Sequence, residues 1–449
     1  MRNLATVFTL ICLVAPALGF GQQTSTAQPS QDTKPKEKEQ WYEIGAQATL
    51  LPQTMLPFHS PYMGKNSMPS YLGTRTSESV TAYLGAQVRP GLEVYLDPEW
   101  LLGAGLGAST GIAGFPNVEI VRIGVKEIPY IGRAFVRGII PTGKAKEVPG
   151  SGENEVPVSH PADSVVVTFG KLAATDLFDT NTYANSGRTQ FMNWALVNNA
   201  AYDYDADVRG YTFGGAIEWK HPDWAIRAGM FQMPLKANGP ELATNLSNDH
   251  GDQAELEWHP TKGSAIRLLG YHNVAHMGNY QDALDQAATT GMPPDITSVE
   301  RNGEVKYGFG LNGEDALGDD GDTGVFTRLG WNNGETETFA YTECDTTVSF
   351  GLQVSGKRWK TPQDHWAIAA AIDGLSASHR DYLAAGGYGF QVGDGKLNYG
   401  QEQIVETYYA RQFNKYLQGS LDFQLIENPG YNQDRGPIPV VSARLHLEF

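Results

Sequence analysis

The chain closes on Val440-Val441-Ser442-Ala443-Arg444-Leu445-His446-Leu447-Glu448-Phe449. Val441, Ala443, Leu445, Leu447 and Phe449 alternate here with Ser442, Arg444, His446 and Glu448. Strict period-two alternation makes a strand with one apolar and one polar face. A soluble chain has little reason to end on its most hydrophobic face, whereas a strand facing lipid can. The preceding segment repeats the pattern, with Leu417, Leu421, Phe423 and Leu425 set against Gln418, Ser420, Asp422 and Gln424. Between the two lies a turn cluster, Asn428-Pro429-Gly430-Tyr431-Asn432.

Working outward, comparable runs recur near 402–413, 365–374, 346–356, 324–333, 303–312, 264–273, 252–259, 223–233, 210–220, 163–171, 131–141, 91–102, 77–87 and 41–50. With the last two they make sixteen, an even number as a bacterial outer-membrane β-barrel requires, with eighteen an alternative count. With both chain ends in the periplasm, links such as Arg89-Pro90-Gly91, His221-Pro222-Asp223 and Asn414-Lys415 are short. Outer loops such as 51–76, 103–130, 172–209, 274–301 and 375–401 are long, and one periplasmic link, 142–162, breaks the rule. Trp100, Trp219, Trp224, Trp258, Trp331, Trp359 and Trp366 stand at strand ends, as two interfacial girdles would need. The rival architecture is a β-sandwich with core tryptophans. A helix is expected only inside loops, as at Gln281 to Ala288.

Composition agrees. There are 33 Lys and Arg against 50 Asp and Glu, a net charge of −17, so no basic footprint for nucleic acid exists. Mean hydropathy is −0.34, which excludes a bundle of membrane-spanning helices but suits strands that are half apolar. Residues 1–21 carry Arg2, an apolar core from Leu4 to Leu18 and small residues at Ala17 and Gly19, the pattern of an export signal. Gln22 to Gln40 is polar and patternless, a flexible mature N-terminus, and the barrel domain spans 41–449. Cys12 leaves with the signal, and Cys344 alone can form neither an intramolecular disulfide nor a cysteine metal site.

About sixteen strands enclose an aqueous channel, so function must lie with the residues that narrow it. Arg133, Phe135 and Arg137 share one face of 131–137. Arginines facing lipid cost several kcal/mol near the midplane, so this face is the lumen. Glu93, Tyr95, Asp97 and Glu99 stand at the same spacing on the preceding strand. Opposed acid and base rows beside aromatic rings suit a sugar, whose hydroxyls donate and accept and whose C–H faces stack. The same rows can equally brace the wall. The loop 172–209 offers Asp179, Asn181, Arg188, Asn193 and Trp194 in a mixture too apolar for a free surface loop, so it is expected to fold inward and constrict the pore.

Other chemistries find little support. Asp203-Tyr204-Asp205-Ala206-Asp207 begins like a calcium loop, but Val208 stands where the template needs Gly. This stretch and Asp319-Asp320-Gly321-Asp322 are expected to be solvated turns. No metal or cofactor is called for, and neither a His-Glu-x-x-His helix nor a Gly-x-Ser-x-Gly elbow occurs.

Several segments together resemble the bacterial carbohydrate-selective porins. They are Phe178 to Ala184, Arg188 to Trp194, Lys306 to Asn312, His379 to Gly387, Gly393 to Gly400, and Asn428 running to Phe449. The resemblance extends from about Trp41 to Phe449. It implies a sixteen-strand outer-membrane barrel passing mono- or oligosaccharides passively through an eyelet of arginine, acidic and aromatic residues. Arg133, Arg137 and Glu93 are the positions that would correspond to that eyelet. Expected surroundings are outer-membrane lipid and lipopolysaccharide, with no nucleic-acid partner and association into a homo-oligomer left open. A non-transporting barrel, adhesin or structural, is the alternative class, and an outer-membrane hydrolase the third.

Overall fold

A computed structural model describes residues 39–119, 129–147, 152–339 and 343–449. The export signal at 1–21, and all but the last two residues of the flexible segment at 22–40, lie outside the described residues. Among the described residues, sixteen antiparallel strands close into one barrel. The first eight are β1 (Tyr42–Met55), β2 (Gly73–Arg89), β3 (Leu92–Gly103), β4 (Tyr130–Pro141), β5 (Ser164–Leu172), β6 (Thr212–His221), β7 (Trp224–Gln232) and β8 (His250–Trp258). The rest are β9 (Ser264–Met277), β10 (Arg301–Gly318), β11 (Thr323–Asn332), β12 (Thr346–Ser355), β13 (His365–Gly374), β14 (Glu402–Asn414), β15 (Leu417–Glu427) and β16 (Ile438–Glu448). No helix among the described residues is long and apolar enough to cross a membrane.

Each strand pairs with its sequence neighbours, and β1 pairs with β16 to remove the last free edge. Leu50 stands opposite Leu445, and Ala46 and Phe449 exchange both backbone hydrogen bonds. Burial along β16 is the reverse of a soluble strand. Val441 and Leu445 are exposed, whereas Ser442, Arg444 and His446 are buried. The same holds on β8, where Leu256 faces out and Glu255 and Glu257 face in. On these strands apolar residues form the outer band and polar residues face the interior, which also holds apolar clusters such as Phe191, Phe326 and Tyr408 where the inward loop meets the wall. That inversion rules out the sandwich.

Two aromatic girdles bound the band. At the periplasmic end Trp219 meets Trp224 edge-on at 5.2 Å, Trp359 donates its indole N–H to the Tyr409 hydroxyl, and Trp366 donates to Thr407. At the outer end Trp331 packs between Tyr307 and Phe309, with centroids 6.0 and 5.1 Å away. Tryptophan and tyrosine suit this level because each joins an apolar ring to a polar group.

Most periplasmic links are tight, with Pro90-Gly91, Pro222-Asp223 and Lys415-Tyr416 the shortest. The exception is the link between β4 and β5. Lys146–Glu147 pairs with His160–Pro161, and residues 152–158 turn back into the barrel. Val156 is buried against Tyr95 and Phe135 there.

The outer loops close over the top. Helix α1 (Trp194–Val197) lies in the β5–β6 loop, α2 (Tyr280–Thr290) in the β9–β10 loop and α3 (Ala377–Ala384) in the β13–β14 loop. α2 begins where the Asn279 side chain accepts from the Gln281 and Asp282 backbones and ends at Gly291, whose φ of 70° suits glycine. It stacks on α3 through Tyr280 and His379, whose ring centroids are 4.3 Å apart. The Asp203 to Asp207 stretch differs from expectation. Asp203, Asp205 and Asp207 are buried, because this end of the β5–β6 loop returns through the lumen instead of over the surface. Asp203 accepts from the Phe339 backbone, Asp205 from the Gln253 amide, and Asp207 from the Arg209 and Tyr211 backbones. Asp319 to Asp322 is a solvated periplasmic turn paired with Lys357 and Arg358.

Candidate functional site: the constricted lumen

Residues 173–211 leave the outer rim after β5 and run inside the barrel, and almost every residue from Phe178 to Tyr211 is shielded. A loop buried in this way has backbone groups that no strand partner satisfies. The lumenal side chains of the wall supply those partners. Glu406 of β14 accepts from the Met192 and Asn193 backbones at 2.6 and 2.9 Å, and Glu255 of β8 accepts from Asp179 at 2.8 Å. Glu314 of β10 accepts from Thr182 at 2.6 Å. Arginines serve the carbonyls. Arg328 donates to Leu196 and Ala184, and Arg444 to Gly187 and Gln190, all at 2.8–2.9 Å. Gly324 faces inward beneath the Tyr183 ring, where any Cβ would collide with it, so the loop can press against the wall.

The two expected charge rows face each other across β3 and β4, with Glu93 opposite Arg137, Tyr95 opposite Phe135 and Asp97 opposite Arg133. Tyr95 and Phe135 stack at 4.8 Å, and the Arg137 guanidinium lies 5.0 Å from the first ring and 5.5 Å from the second. Tyr95 donates to Glu93 at 2.7 Å, and Arg137 donates to the Tyr95 hydroxyl and the Asn154 carbonyl. Arg133 is held by three carboxylates. It grips Asp176 twice at 2.7 Å, donates to Glu153 at 2.6 Å and stands 3.5 Å from Asp97.

The remaining candidates lie deeper in the packing. Glu99 accepts from Thr81, Tyr130, Tyr211 and Arg188, and Arg188 also donates to Glu119. Asp179 pairs with Arg328 at 2.9 Å and accepts from Asn312 and the Asn199 backbone. Asn181 donates to Asn312 and caps the Tyr183 and Ala184 backbones. Asn193 caps α1 at Ala195 and donates to Gly114 and Gln424, while Trp194 stacks on Phe115 at 5.4 Å. The structure thus divides the candidates. Arg133 and Arg137 keep partial exposure on the inner face of β4, Tyr95 and Phe135 are buried beneath Arg137, and the loop residues stand where loop meets wall.

Several participants escaped the sequence reading. Arg227 lies within 2.8 Å of Glu255 and Glu257 and also pairs with Glu218, and Arg267 bridges Glu257 and Glu314. The alternation that exposed Arg133 would have found them, since each sits at an inward position. Glu153 and Asn154 gave no comparable signal, because only the fold brings the periplasmic link inside. A cavity of about 200 Å³ lies between these groups, lined by Tyr95, Arg137, Val156, His160, Glu218 and Arg227 among others.

A profile of the carbohydrate-selective porins, the OprB family, matches residues 154–449. The chain belongs to that family. The porin's fold matches the high-pH structure of Pseudomonas putida OprB with a TM-score of 0.67 at 15% identity, over 91% of this chain and 94% of that one. It also aligns with the Salmonella typhi OmpF complex with daunomycin, at TM-score 0.49 and 11% identity over 91% and 97% of the two chains. At such identities the first likeness speaks for the fold alone. No curated protein matches the sequence. The porin is a carbohydrate channel of the bacterial outer membrane, and both family and fold are those of a channel, not an enzyme.

Proposed function

We propose that sugars cross the porin along the β3–β4 wall, past the Arg133–Asp176 clasp and the Arg137–Tyr95–Phe135 stack. The observation that carries this is the arginine over paired rings beside the cavity. Arg137, held over the buried Tyr95–Phe135 stack, offers donors to sugar hydroxyls, and Glu218 and Arg227 stand ready on the same cavity. Each contact is weak and water-competed, as conduction requires. Neutral mono- or oligosaccharides are the solute class favoured, since acid and base are interleaved and neither sign dominates the wall. In this scheme Glu99, Asp179, Asn181, Arg188, Asn193 and Trp194 hold the inward loop in place, and Glu93 orients Tyr95. Lipid surrounds the apolar band, with lipopolysaccharide at the outer girdle.

We further infer that the chain performs no catalysis. The buried His379 pairs with Asp345 at 3.0 Å, but its other nitrogen faces the Glu343 carboxylate at 3.9 Å instead of a hydroxyl. Reconstitution in planar bilayers tests the whole scheme. An ohmic conductance blocked by added sugar, with the block weakened in Arg137→Ala, supports it. A silent barrel would favour an adhesin, and ester hydrolysis would favour an enzyme.

A further inference from the structure

The outer surface of β8 and β9 carries an arrangement that sugar passage does not use. His250 and Asp252 are alternate residues of β8, so both side chains leave the same face of the sheet, and Asp252 stands directly opposite His272 of β9. The neighbouring inward positions, Gly251, Gln253 and Asn273, are buried, which fixes the triad on the outside of the wall. His250 Nε2 lies 3.4 Å from Asp252 Oδ2, and His272 Nδ1 lies 3.8 Å from the same oxygen. One ligand atom from each of the three lies within 4.8 Å of the others.

The site sits at the upper edge of the lipid-facing band. Met230 flanks Asp252 on β7 and Tyr307 flanks His272 on β10, both of them exposed. Below it Leu256 and Leu268 face outward. Polar groups at this level need a reason to cluster, and two imidazoles with one carboxylate make a donor set. Donors that share one zinc ion lie about 3.3–3.6 Å apart, given bond lengths of about 2.0–2.2 Å in a tetrahedron. The observed spacings, 3.4 and 3.8 Å to the shared carboxylate oxygen and within 4.8 Å overall, are somewhat longer, on backbones held by the β8–β9 ladder. Imidazole nitrogen suits zinc and its neighbours, whereas calcium and magnesium prefer an all-oxygen shell.

We propose that His250, Asp252 and His272 bind a divalent transition metal ion, with zinc the natural probe, on the outer wall of the porin at its outer girdle. Three protein ligands leave a fourth position open. It points away from the barrel, so an oxygen donor from the surroundings completes the shell without any change in the lumen.

The test titrates chelator-stripped, full-length porin in detergent with zinc chloride by calorimetry. One zinc ion per barrel is expected. His272→Asn and Asp252→Asn should each weaken binding about tenfold or more, since even indirect support for a ligand is worth that much. His276→Asn, on the same face of β9, should bind as the parent does. Bilayer conductance of each variant verifies assembly, because none of these residues reaches the lumen. Absence of saturable zinc binding, or full binding in both His272→Asn and Asp252→Asn, overturns the proposal.

Discussion

Arg133 and Asp176 face each other through two parallel hydrogen bonds of 2.7 Å, Nε to Oδ2 and Nη2 to Oδ1. The pair ties β4 to the first turn of the inward loop, beside the Ala173 backbone that Asp176 also caps. Both side chains touch water, so screening keeps their coupling to about 1 kcal/mol despite the fork geometry. Arg133→Ala and Asp176→Asn should each raise single-channel conductance and weaken sugar block. The double variant should add little to either, which a double-mutant cycle in bilayer recordings measures.

Asp179 is a different case. Arg328 is fully buried, and Asp179 is its carboxylate partner at 2.9 Å. Deleting one side of a buried pair leaves the other charge stranded, at about 3–5 kcal/mol. Asp179 also holds φ at 57°, where Asp and Asn are tolerated and most other side chains are strained. Asp179→Ala should therefore release the loop and lower the unfolding temperature of the barrel more than Asp179→Asn does. Heat-dependent gel mobility and loop proteolysis report both effects.

Tyr95→Phe removes the hydroxyl that links Glu93 to Arg137 while keeping the ring stack. A sugar platform that depends on the placement of Arg137 should lose a few-fold in block by sugar, worth about 1 kcal/mol. Phe135→Ala should lose more, since it removes stacking surface. The ratio of the two losses, read from current noise, separates positioning from contact.

Loop chemistry predicts a pH response. Glu337 lies in the β11–β12 loop and accepts from the Gly278 backbone at 2.7 Å. Burial, with Glu300 and Glu343 adding repulsion, pushes its pKa from 4.5 up to about 8. The folded loop then binds a proton that the opened loop releases, so its contribution is complete below 4.5 and lost as pH rises through about 8. Amide exchange at Gly278 should quicken across that window, and Glu337→Gln should flatten the response.

On the lipid face, Phe423 of β15 is exposed and flanked by Val441 of β16. Phe423→Arg should cost about 2–4 kcal/mol if it lies at midplane depth. Refolding into bilayers, followed by denaturant titration, gives that figure.

All sixteen expected strands have counterparts, because alternation and charge survive in every strand regardless of its neighbours. Boundaries were less legible. β1 runs on to Met55 past Pro52, which lacks an N–H; the ladder to β16 skips from Leu50–Leu445 to Gln53–Ser442, while the ladder to β2 continues unbroken. The site divides in the same way. Arg133 and Arg137 could be placed by the expense of exposing them to lipid. Glu153 and Asn154 could not, since their importance comes from a periplasmic link that re-enters the barrel, and Asp176, in the loop expected to fold inward, showed nothing of its pairing with Arg133. Asp203, Asp205 and Asp207 misled for the same reason, as a polar run reads as surface until the surface proves to be inside.

The guanidinium of Arg133 is claimed from both sides of the membrane. Asp176 reaches it on a segment anchored at the outer rim, and Glu153 on one anchored at the periplasmic rim. The narrow zone is therefore a joint with two arms. One side chain thus fastens an outer-rim segment and a periplasmic-rim segment to the same point on β4.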